Sequence, residues 1–469
     1  MDIIPAGLFA LCIWFAALWR GLPAATTTVV AMLPFGMLTV VNLPAVGGLS
    51  LKISSVCAGL LIVWLAITHI RSRDHIFNHQ NLSGTHIALI LLIIYVVISA
   101  VINVRIFQGE IDVFSLNRGV DRSGKGAIGM LTRLYPGTSN ISQTFYMLLS
   151  ASFFFAVLLA IRRYGITWIH RALVVTAVVH SVLFVLDVLE LDGLLSFVRT
   201  ANYALLTNHE VHGFARIIGG FAEPSGFGSF SSALLGYFAL HTFSSRSWVS
   251  GFLAQALGFC VLLSFSSSAY FGAFFVVLFL LIVTAQKTFF GGGIPRCFVY
   301  LGWIAGVLGI VFFMLNSALV EQILDSLIFS KASSSSGHER GLWAEYGFRT
   351  FLDTYGLGAG VGSIRSNGWL AVYFGSVGIP GFLLALAFWL QVLLKPLSQA
   401  LSDEASAVFV ACKAAVVVTL MMKLASATTP DPGLCLMLFA ACICGIRQRA
   451  VEEGNIAIDS GGESNYYSK

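Results

Sequence analysis

Long apolar runs recur along this chain and decide what it can fold into. A run of roughly 17–25 apolar residues is long enough to cross the hydrocarbon core of a bilayer as a helix. Hydrophobic residues make up 57% of the 469 residues and charged residues 10%, against roughly a quarter charged in soluble domains. The sequence therefore predicts an all-α polytopic membrane protein with about 12–14 transmembrane helices. The predicted spans are about 5–19, 24–46, 50–70, 85–104, 141–161, 166–186, 223–244, 248–265, 269–285, 297–316, 367–391, 405–424 and 432–446.

Basic residues in the short loops set the orientation, because Lys and Arg concentrate on the cytoplasmic side of a membrane. By alternation of the spans, one side receives Arg71, Arg73, Arg162, Arg163, Arg246, Lys287, Arg296, Lys395, Arg447 and Arg449. We therefore expect one helical membrane domain over 1–446 and a disordered cytoplasmic tail over 447–469. Large periplasmic loops that carry short helices are expected over about 105–140, 187–222 and 317–366. The first of these loops is itself basic, which runs against this orientation.

Charge and cysteine content exclude several classes of function. The formal net charge of +5 is small for this length and follows from the basic loops, so no nucleic-acid partner is expected. The eight cysteines lie almost all within apolar runs, which is typical of small core residues and not of metal ligands or disulfides. Residues 1–20 lack a basic start and are interpreted as a first span, not as a cleaved signal peptide.

The stretch Ser333–Gly381 concentrates charge between two apolar spans. Ser336 and Glu339 fit a capping box, which predicts a helix over Gly337 to about Thr354. Arg340 lies in the first turn of that helix, beside backbone amides that are free at a helix N-terminus. A helix start with an adjacent arginine is a natural site for an anion.

The predicted helix carries further polar residues on one face, namely His338, Glu345 and Arg349. A glycine run then follows, and glycine allows backbone to approach a ligand closely. It consists of Gly356, Gly358, Gly360 and Gly362. Arg365 follows at the mouth of the next span. The alternative interpretation is an amphipathic helix on the outer membrane surface with a solvated charged side.

A second polar cluster precedes an apolar span near residue 223. His209 and His212 flank Glu210, but this spacing is no zinc signature, and surface histidines explain it better than a metal. Arg216 stands before a glycine pair at a predicted membrane entry, where the alternative role is an anchor among lipid headgroups. Glu223 precedes a proline at the start of a span, and it is either a helix cap or a working acid or base.

Both clusters contain motifs of a known family. The element Arg216-x-x-Gly219-Gly220-Phe-x-Glu223-Pro224-Ser225 resembles a conserved element of the O-antigen ligase and polysaccharide polymerase superfamily. Arg340-x-x-Trp343, the glycine run after Gly356 and the series Gly375-x-x-Gly378-x-x-Gly381 resemble the second element of that family, in its large periplasmic loop. The distance from Arg349 to Gly360 also resembles a spacing found in such polymerases. The resemblance covers about 170 residues, from about 205 to 381, in the same order as in the family.

The resemblance implies a GT-C-like helical architecture in a bacterial inner membrane. It also implies an inverting, metal-independent transferase without a cofactor. Such a transferase moves a glycan from an undecaprenyl-diphosphate carrier to an acceptor at the periplasmic face. Ligases of the family usually carry a histidine in an element that reads Ser366-Asn367-Gly368-Trp369-Leu370 here, without one. This difference favours a polymerase, which would act beside a flippase and a chain-length regulator.

Residue roles follow by motif position. The resemblance implies that Arg216 and Arg340 bind the diphosphate, and the chemistry agrees, because guanidinium groups bind phosphate oxygens at two points and stay charged. For the general base, His338 is the nearest replacement of the family's histidine, and Glu223 and Glu339 are the other candidates. Further contacts with the substrate are expected from six residues, namely Arg349, Arg365, Glu339, Gly358, Gly360 and His212. No Asp-x-Asp pair for Mg²⁺ appears in the outer loops.

Two other functions compete with a polymerase. A ligase of the same superfamily would transfer the glycan to a lipid or a protein. A flippase or secondary transporter would instead place ionisable residues at mid-membrane on broken helices. Most charges here lie in loops, and of the two lysines within the span after the site, Lys413 is expected to face the cytoplasmic half and Lys423 to snorkel.

Overall fold

The computed structural model describes residues 2–43, 49–72, 83–115, 119–120, 126–127, 131–201, 210–211, 214–289, 335–397 and 401–463. The described chain is mostly helical and confirms a polytopic, predominantly α-helical membrane protein. Its helices are α1 Pro5–Trp19, α2 Leu22–Ala31, α3 Ile53–Ser72, α4 Gly84–Ile98, α5 Thr138–Tyr164, α6 Thr167–Val188, α7 Asp192–Leu195, α8 Pro224–Ser245, α9 Trp248–Leu263, α10 Ser267–Phe289, α11 Ser335–Asp353, α12 Trp369–Leu394, α13 Asp403–Ser426 and α14 Leu434–Glu463. After α4 the chain continues through a π-helical turn, Ser99–Asn103, and a last α-helical turn, Val104–Ile106.

Seven helices of the described chain are long and apolar enough to cross a membrane. The first is α4 together with the two turns that follow it, Gly84–Ile106, and the others lie in α5, α6, α10, α12, α13 and α14. The apolar segments in α1, α2, α3 and α9 are shorter. The predicted span 223–244 corresponds to α8, whose serines make it more polar and which is largely buried among its neighbours. The predicted span 297–316 lies outside the described residues. The larger number of 12–14 spans, the GT-C-like architecture and the side of each loop stay predictions.

The predicted second span, 24–46, is wrong as a single helix. Helix α2 ends at Ala31, and the chain then turns into strand β2, Thr39–Leu43, which pairs with β3, Leu49–Lys52, and with β1, Asp2–Ile3. Pro34 and Gly36 follow the helix and favour a turn over its continuation. Apolar β-branched residues of β2 then lie in a small, largely buried sheet.

Short β-hairpins lie in the loops between the helices. Strands β4, Asp112–Phe114, and β7, Leu131–Arg133, are antiparallel, as are β5, Gly119–Val120, and β6, Gly126–Ala127. Strand β8, Glu210–Val211, pairs with β9, Phe214–Ala215, and Arg216 follows directly.

One apolar core runs through the bundle from Trp14 in α1 to Ile446 in α14. Helix α14 extends to Glu463 and so enters the segment 447–469, for which the sequence predicts a disordered tail. Basic residues meet at one end of the bundle, where Arg162 pairs with Glu452 at 3.0 Å and Arg447 donates to the Gln391 carbonyl at 3.0 Å. We call this the basic end and the opposite one, which carries α11 and the 354–368 loop, the loop end.

A kink in α12 holds the loop of Gly356, Gly358, Gly360 and Gly362, here called the glycine loop, at the loop end. Pro380 has no N–H, so the Ser376 carbonyl one turn earlier is free, and it accepts the Gly360 amide at 2.8 Å. The Ile379 amide donates instead to the Gly356 carbonyl, and the Gly375 carbonyl accepts Ala359 at 2.8 Å. The helix break therefore supplies the acceptors that hold the glycine loop against the bundle.

Candidate functional site

Arg216 lies half-buried at the loop end, where the chain leaves β9 and approaches α8. Its Nη2 donates to the Phe265 carbonyl at 2.9 Å, in the turn between α9 and α10. Its buried Nε has no hydrogen-bond partner among the described residues. An unsatisfied buried donor costs free energy, so this guanidinium retains the capacity to bind another acceptor.

Arg340 comes from the first turns of α11, in a distant part of the sequence, and is also half-buried. Burial lowers the pKa of Arg216, the Glu223 carboxylate and the Tyr270 hydroxyl raise it, and the positive charge of Arg340 lowers it. The two guanidinium groups therefore lie within electrostatic reach of each other. Like charges brought together in a partly desolvated place favour a bound anion.

Glu223 is the carboxylate that acts on Arg216, and it precedes the first residue of α8. Its side chain is exposed, and Oε1 accepts a hydrogen bond from the Ser225 hydroxyl at 2.6 Å. Pro224 opens the helix at a position where a missing N–H has no cost. Glu223 makes no side-chain cap hydrogen bond to the helix, so its carboxylate stays available at the surface.

An ion pair that the sequence did not reveal holds the segment after Arg216. Asp187, in the last turn of α6, accepts the backbone amides of Ile218 and Gly219, each at 2.8 Å. Arg199 donates to the same carboxylate at 2.5 Å and to the Gly219 carbonyl at 2.9 Å. In the sequence, Asp187 stands only at the end of the predicted span 166–186. The signal for this ion pair in the sequence is a carboxylate at a span end with an arginine in the loop that follows.

The glycines Gly358 and Gly360 are buried in contact with other backbone. Gly360 has φ +93°, and a Cβ there would lie 2.6 Å from the Ser99 carbonyl oxygen. A Cβ on Gly358 would lie 2.6 Å from the Gly378 nitrogen. Close packing within the protein therefore explains why these two positions are glycine. Their contact with a substrate stays a prediction.

Several polar side chains of α11 are exposed, and two of them form an ion pair within the helix. His338 and Glu339 are exposed in its first turns, close in sequence to Arg340. Arg349 pairs with Glu345 at 2.6 Å, and both side chains are about half exposed. The helix itself matches the predicted one to within two residues at each end.

Arg365 lies in the connection between α11 and α12. Its guanidinium lies 4.2 Å from the centroid of the Trp343 ring, and its backbone amide donates to the Phe114 carbonyl at 2.6 Å. This arginine thus joins the loop after α11 to β4 and to α11 itself. Its predicted contact with substrate stays untested.

The histidines His209 and His212 lie outside the described residues. Within the described ranges, no three metal-ligating side chains come together. The absence of a metal requirement nevertheless stays a prediction about the reaction.

The described site can bind an anion and hold a base next to it. Two arginines from separate segments supply the positive charge, and one carboxylate stands beside them. Comparisons with protein-family models, with curated proteins and with solved structures found no match for this chain.

Proposed function

We propose that this protein is a polysaccharide polymerase of the bacterial inner membrane, which makes an exopolysaccharide, a capsule or O-antigen. It would transfer a glycan from undecaprenyl diphosphate to a second lipid-linked repeat unit at the periplasmic face. The observation that carries the proposal is the approach of Arg216 and Arg340 at the loop end. These residues stand in the two motifs that resemble the polymerase and ligase superfamily.

The reaction needs positive charge where its leaving group departs. A hydroxyl of the acceptor sugar attacks the anomeric carbon with inversion, and the bond from that carbon to the diphosphate oxygen breaks. The diphosphate leaves with the electron pair, so its charge grows in the transition state. Fixed donors aimed at developing charge are usually the largest catalytic contribution. Arg216, with its unpartnered Nε, suits this role.

The acceptor hydroxyl must lose its proton to a base. Glu223 is favoured over His338 and Glu339, because its carboxylate acts electrostatically on Arg216 and is therefore near the proposed diphosphate site. A positioned base contributes a factor of roughly 10²–10⁴. The Glu223→Gln variant should lower kcat by about that factor, whereas His338→Ala should leave kcat close to the wild-type value.

The direct test uses purified protein in detergent with a purified undecaprenyl-diphosphate-linked repeat unit. We expect products with two or more repeats and release of undecaprenyl diphosphate in equal amount to the bonds formed. Transfer only to a different lipid or to a protein would support a ligase. Movement of the substrate across vesicles that depends on an ion gradient, without bond formation, would support a transporter and contradict the proposal.

A deletion of the gene provides the matching test in cells. Cells without a polymerase should accumulate single lipid-linked repeat units and lack polymer. Normal polymer in the deletion strain would contradict the proposal.

A further inference from the structure

Helix α11 and the turn that follows it have three different sides. The first side is buried against the bundle, the second is exposed and polar, and the third is exposed and apolar. In that order, the sides consist of Gly347, Thr350 and Thr354, of Glu345, Arg349 and Asp353, and of Phe348, Leu352 and Tyr355. The apolar residues are four and three positions apart, which brings their side chains onto one line along the helix.

The apolar line continues into the glycine loop through Leu357, which is also exposed. We call Phe348, Leu352, Tyr355 and Leu357 the apolar edge. A helix that faces only water carries polar residues across its exposed surface, whereas 69% of the Leu352 side chain is exposed here. The two exposed sides of α11 therefore suit two different media, one aqueous and one apolar.

The backbone at Tyr355 supports the same view. Tyr355 has φ +52°, in the left-handed region where many helices end and which glycine usually occupies. Any Cβ costs free energy there, because it crowds the following carbonyl oxygen. Since 88% of the Tyr355 side chain is exposed, contacts within the described protein compensate little of this cost. A membrane–water border would compensate it, because the tyrosine ring and hydroxyl suit the two sides of that border.

Backbone contacts hold the apolar edge beside the membrane spans. The Gly356 carbonyl accepts the Ile379 amide at 2.9 Å, and the Leu357 carbonyl accepts the Tyr95 hydroxyl of α4 at 3.3 Å. Ile379 lies about 15 residues before the end of α12, or roughly 22 Å along that helix. The hydrocarbon core is about 30 Å thick, and Lys395 directly after α12 marks its border at the basic end. The part of α12 that holds the edge therefore lies within the span.

The apolar edge is also continuous with the outer surface of α12. That helix exposes a row of apolar side chains along one face, namely Ile379, Leu383, Leu390 and Leu394. A Cβ on Gly356, between Tyr355 and Leu357, would lie 3.4 Å from the Ile379 side chain. At the other end of the edge, the ring of Phe348 lies 6.2 Å from the ring of Phe374 in α12. The exposed row of a spanning helix faces lipid, so the surface that continues it has the same neighbour.

We infer that the apolar edge of α11 is immersed in the phospholipid bilayer, at the border between headgroups and acyl chains. The polar side with Glu345, Arg349 and Asp353 stays in water. The amphipathic helix considered from the sequence thus describes the C-terminal half of α11. Arg340 lies in the first turns of the same helix, so the membrane contact leaves the arginine site free and holds for any function of that site.

The test introduces the photoreactive residue p-benzoyl-phenylalanine at single positions of the full-length protein, in vesicles of phosphatidylethanolamine and phosphatidylglycerol. Irradiated benzophenone bonds to the C–H groups that it touches, so mass spectrometry identifies the neighbour of each position. At Leu352 and at Tyr355 we expect adducts with the mass of one phospholipid. Leu383 of α12 is the positive control for a lipid-facing position.

Asp353 is the matched negative control, because it directly follows Leu352 but lies on the polar side of α11. The phospholipid adduct should be several-fold less abundant at Asp353 than at Leu352. The inference is overturned by equal yields at these two positions. It is also overturned if Leu352 and Tyr355 give no phospholipid adduct while Leu383 does.

Two other occupants of the apolar edge would give distinct products. Cross-linked dimers in place of phospholipid adducts would assign the edge to a second copy of the chain. Loss of the phospholipid adducts on addition of undecaprenyl diphosphate, equimolar with the protein, would assign it to the polyprenyl chain of the proposed substrate. Either result would contradict the bilayer contact, and neither would test the transfer reaction.

Discussion

Arg199 and Asp187 form an ion pair that is almost fully buried, with 6% and 12% of their side chains exposed. The pair does more than join α6 to the following loop, because the second oxygen of Asp187 accepts two successive backbone amides. Those amides belong to Ile218 and Gly219, directly after Arg216. A carboxylate at the end of a helix thereby sets the position of the arginine that we propose to bind diphosphate.

Replacing Asp187 should therefore affect both stability and function. Asp187→Asn removes the charge that compensates Arg199. It also turns one of the two acceptor oxygens into an NH2 group, so either Arg199 or the two loop amides lose their acceptor. Breaking a buried ion pair costs about 3–5 kcal/mol, so the thermal midpoint in detergent should fall clearly. Binding of undecaprenyl diphosphate should weaken as well.

The control for that substitution is Asp192→Asn. Asp192 lies 3.6 Å from the same Arg199, but 84% of its side chain is exposed. An exposed pair contributes at most about 1 kcal/mol, so the midpoint should barely move. Equal effects of the two variants would contradict the proposed role of Asp187.

Removal of either proposed diphosphate ligand should abolish polymer formation. Arg216→Ala or Arg340→Ala should lower kcat by about 10²–10³, the typical effect of losing one donor to a developing charge. Arg216→Lys should recover only part of the rate, because lysine lacks the planar fork. Polymer length in cells and turnover in detergent provide the measurement.

Arg133→Ala is the matched control for the arginines. Arg133 is exposed, pairs with Asp112 at 3.3 Å and belongs to neither motif in the sequence. We expect wild-type polymer from this variant. Wild-type polymer from Arg216→Ala or Arg340→Ala would refute the assignment.

The glycine loop offers a test of packing. Gly360→Ala should destabilise the protein, because its φ of +93° strains any other residue and the new Cβ would lie 2.6 Å from the Ser99 oxygen. Such a strain costs about 1–3 kcal/mol. Gly341→Ala, on α11 with no atom within 4 Å of the added Cβ, should instead stabilise by about 0.5–1 kcal/mol. Thermal unfolding in detergent compares the two, and an unaffected Gly360→Ala would contradict the packing role.

Chelation should leave turnover unchanged. The proposed transfer uses arginine charge where other transferases use a divalent cation, so EDTA should not alter the rate with purified substrate. Loss of activity that Mg²⁺ restores would contradict this expectation.

Sequence patterns predicted the helices well where the apolar runs are long. Helices α5, α6, α12 and α13 begin and end close to the predicted spans. The pattern was wrong at 24–46, where an apolar strand and an apolar helix have the same hydropathy and only pairing between β2 and β3 distinguishes them. Helix α11 was predicted because its charges and its glycine stop are local signals.

By itself, the sequence determined that this is a helical membrane protein and which arginines stand in family-like motifs, because hydropathy and short-range spacing are local properties of a chain. Only the tertiary structure brought Arg340 near Arg216 and paired Asp187 with Arg199. Arg216 and Arg340 belong to segments far apart in sequence, whereas Asp187 and Arg199 belong to a helix end and the loop that follows it. Both contacts depend on how the helices pack and where α12 bends, and no local pattern in the chain encodes that arrangement.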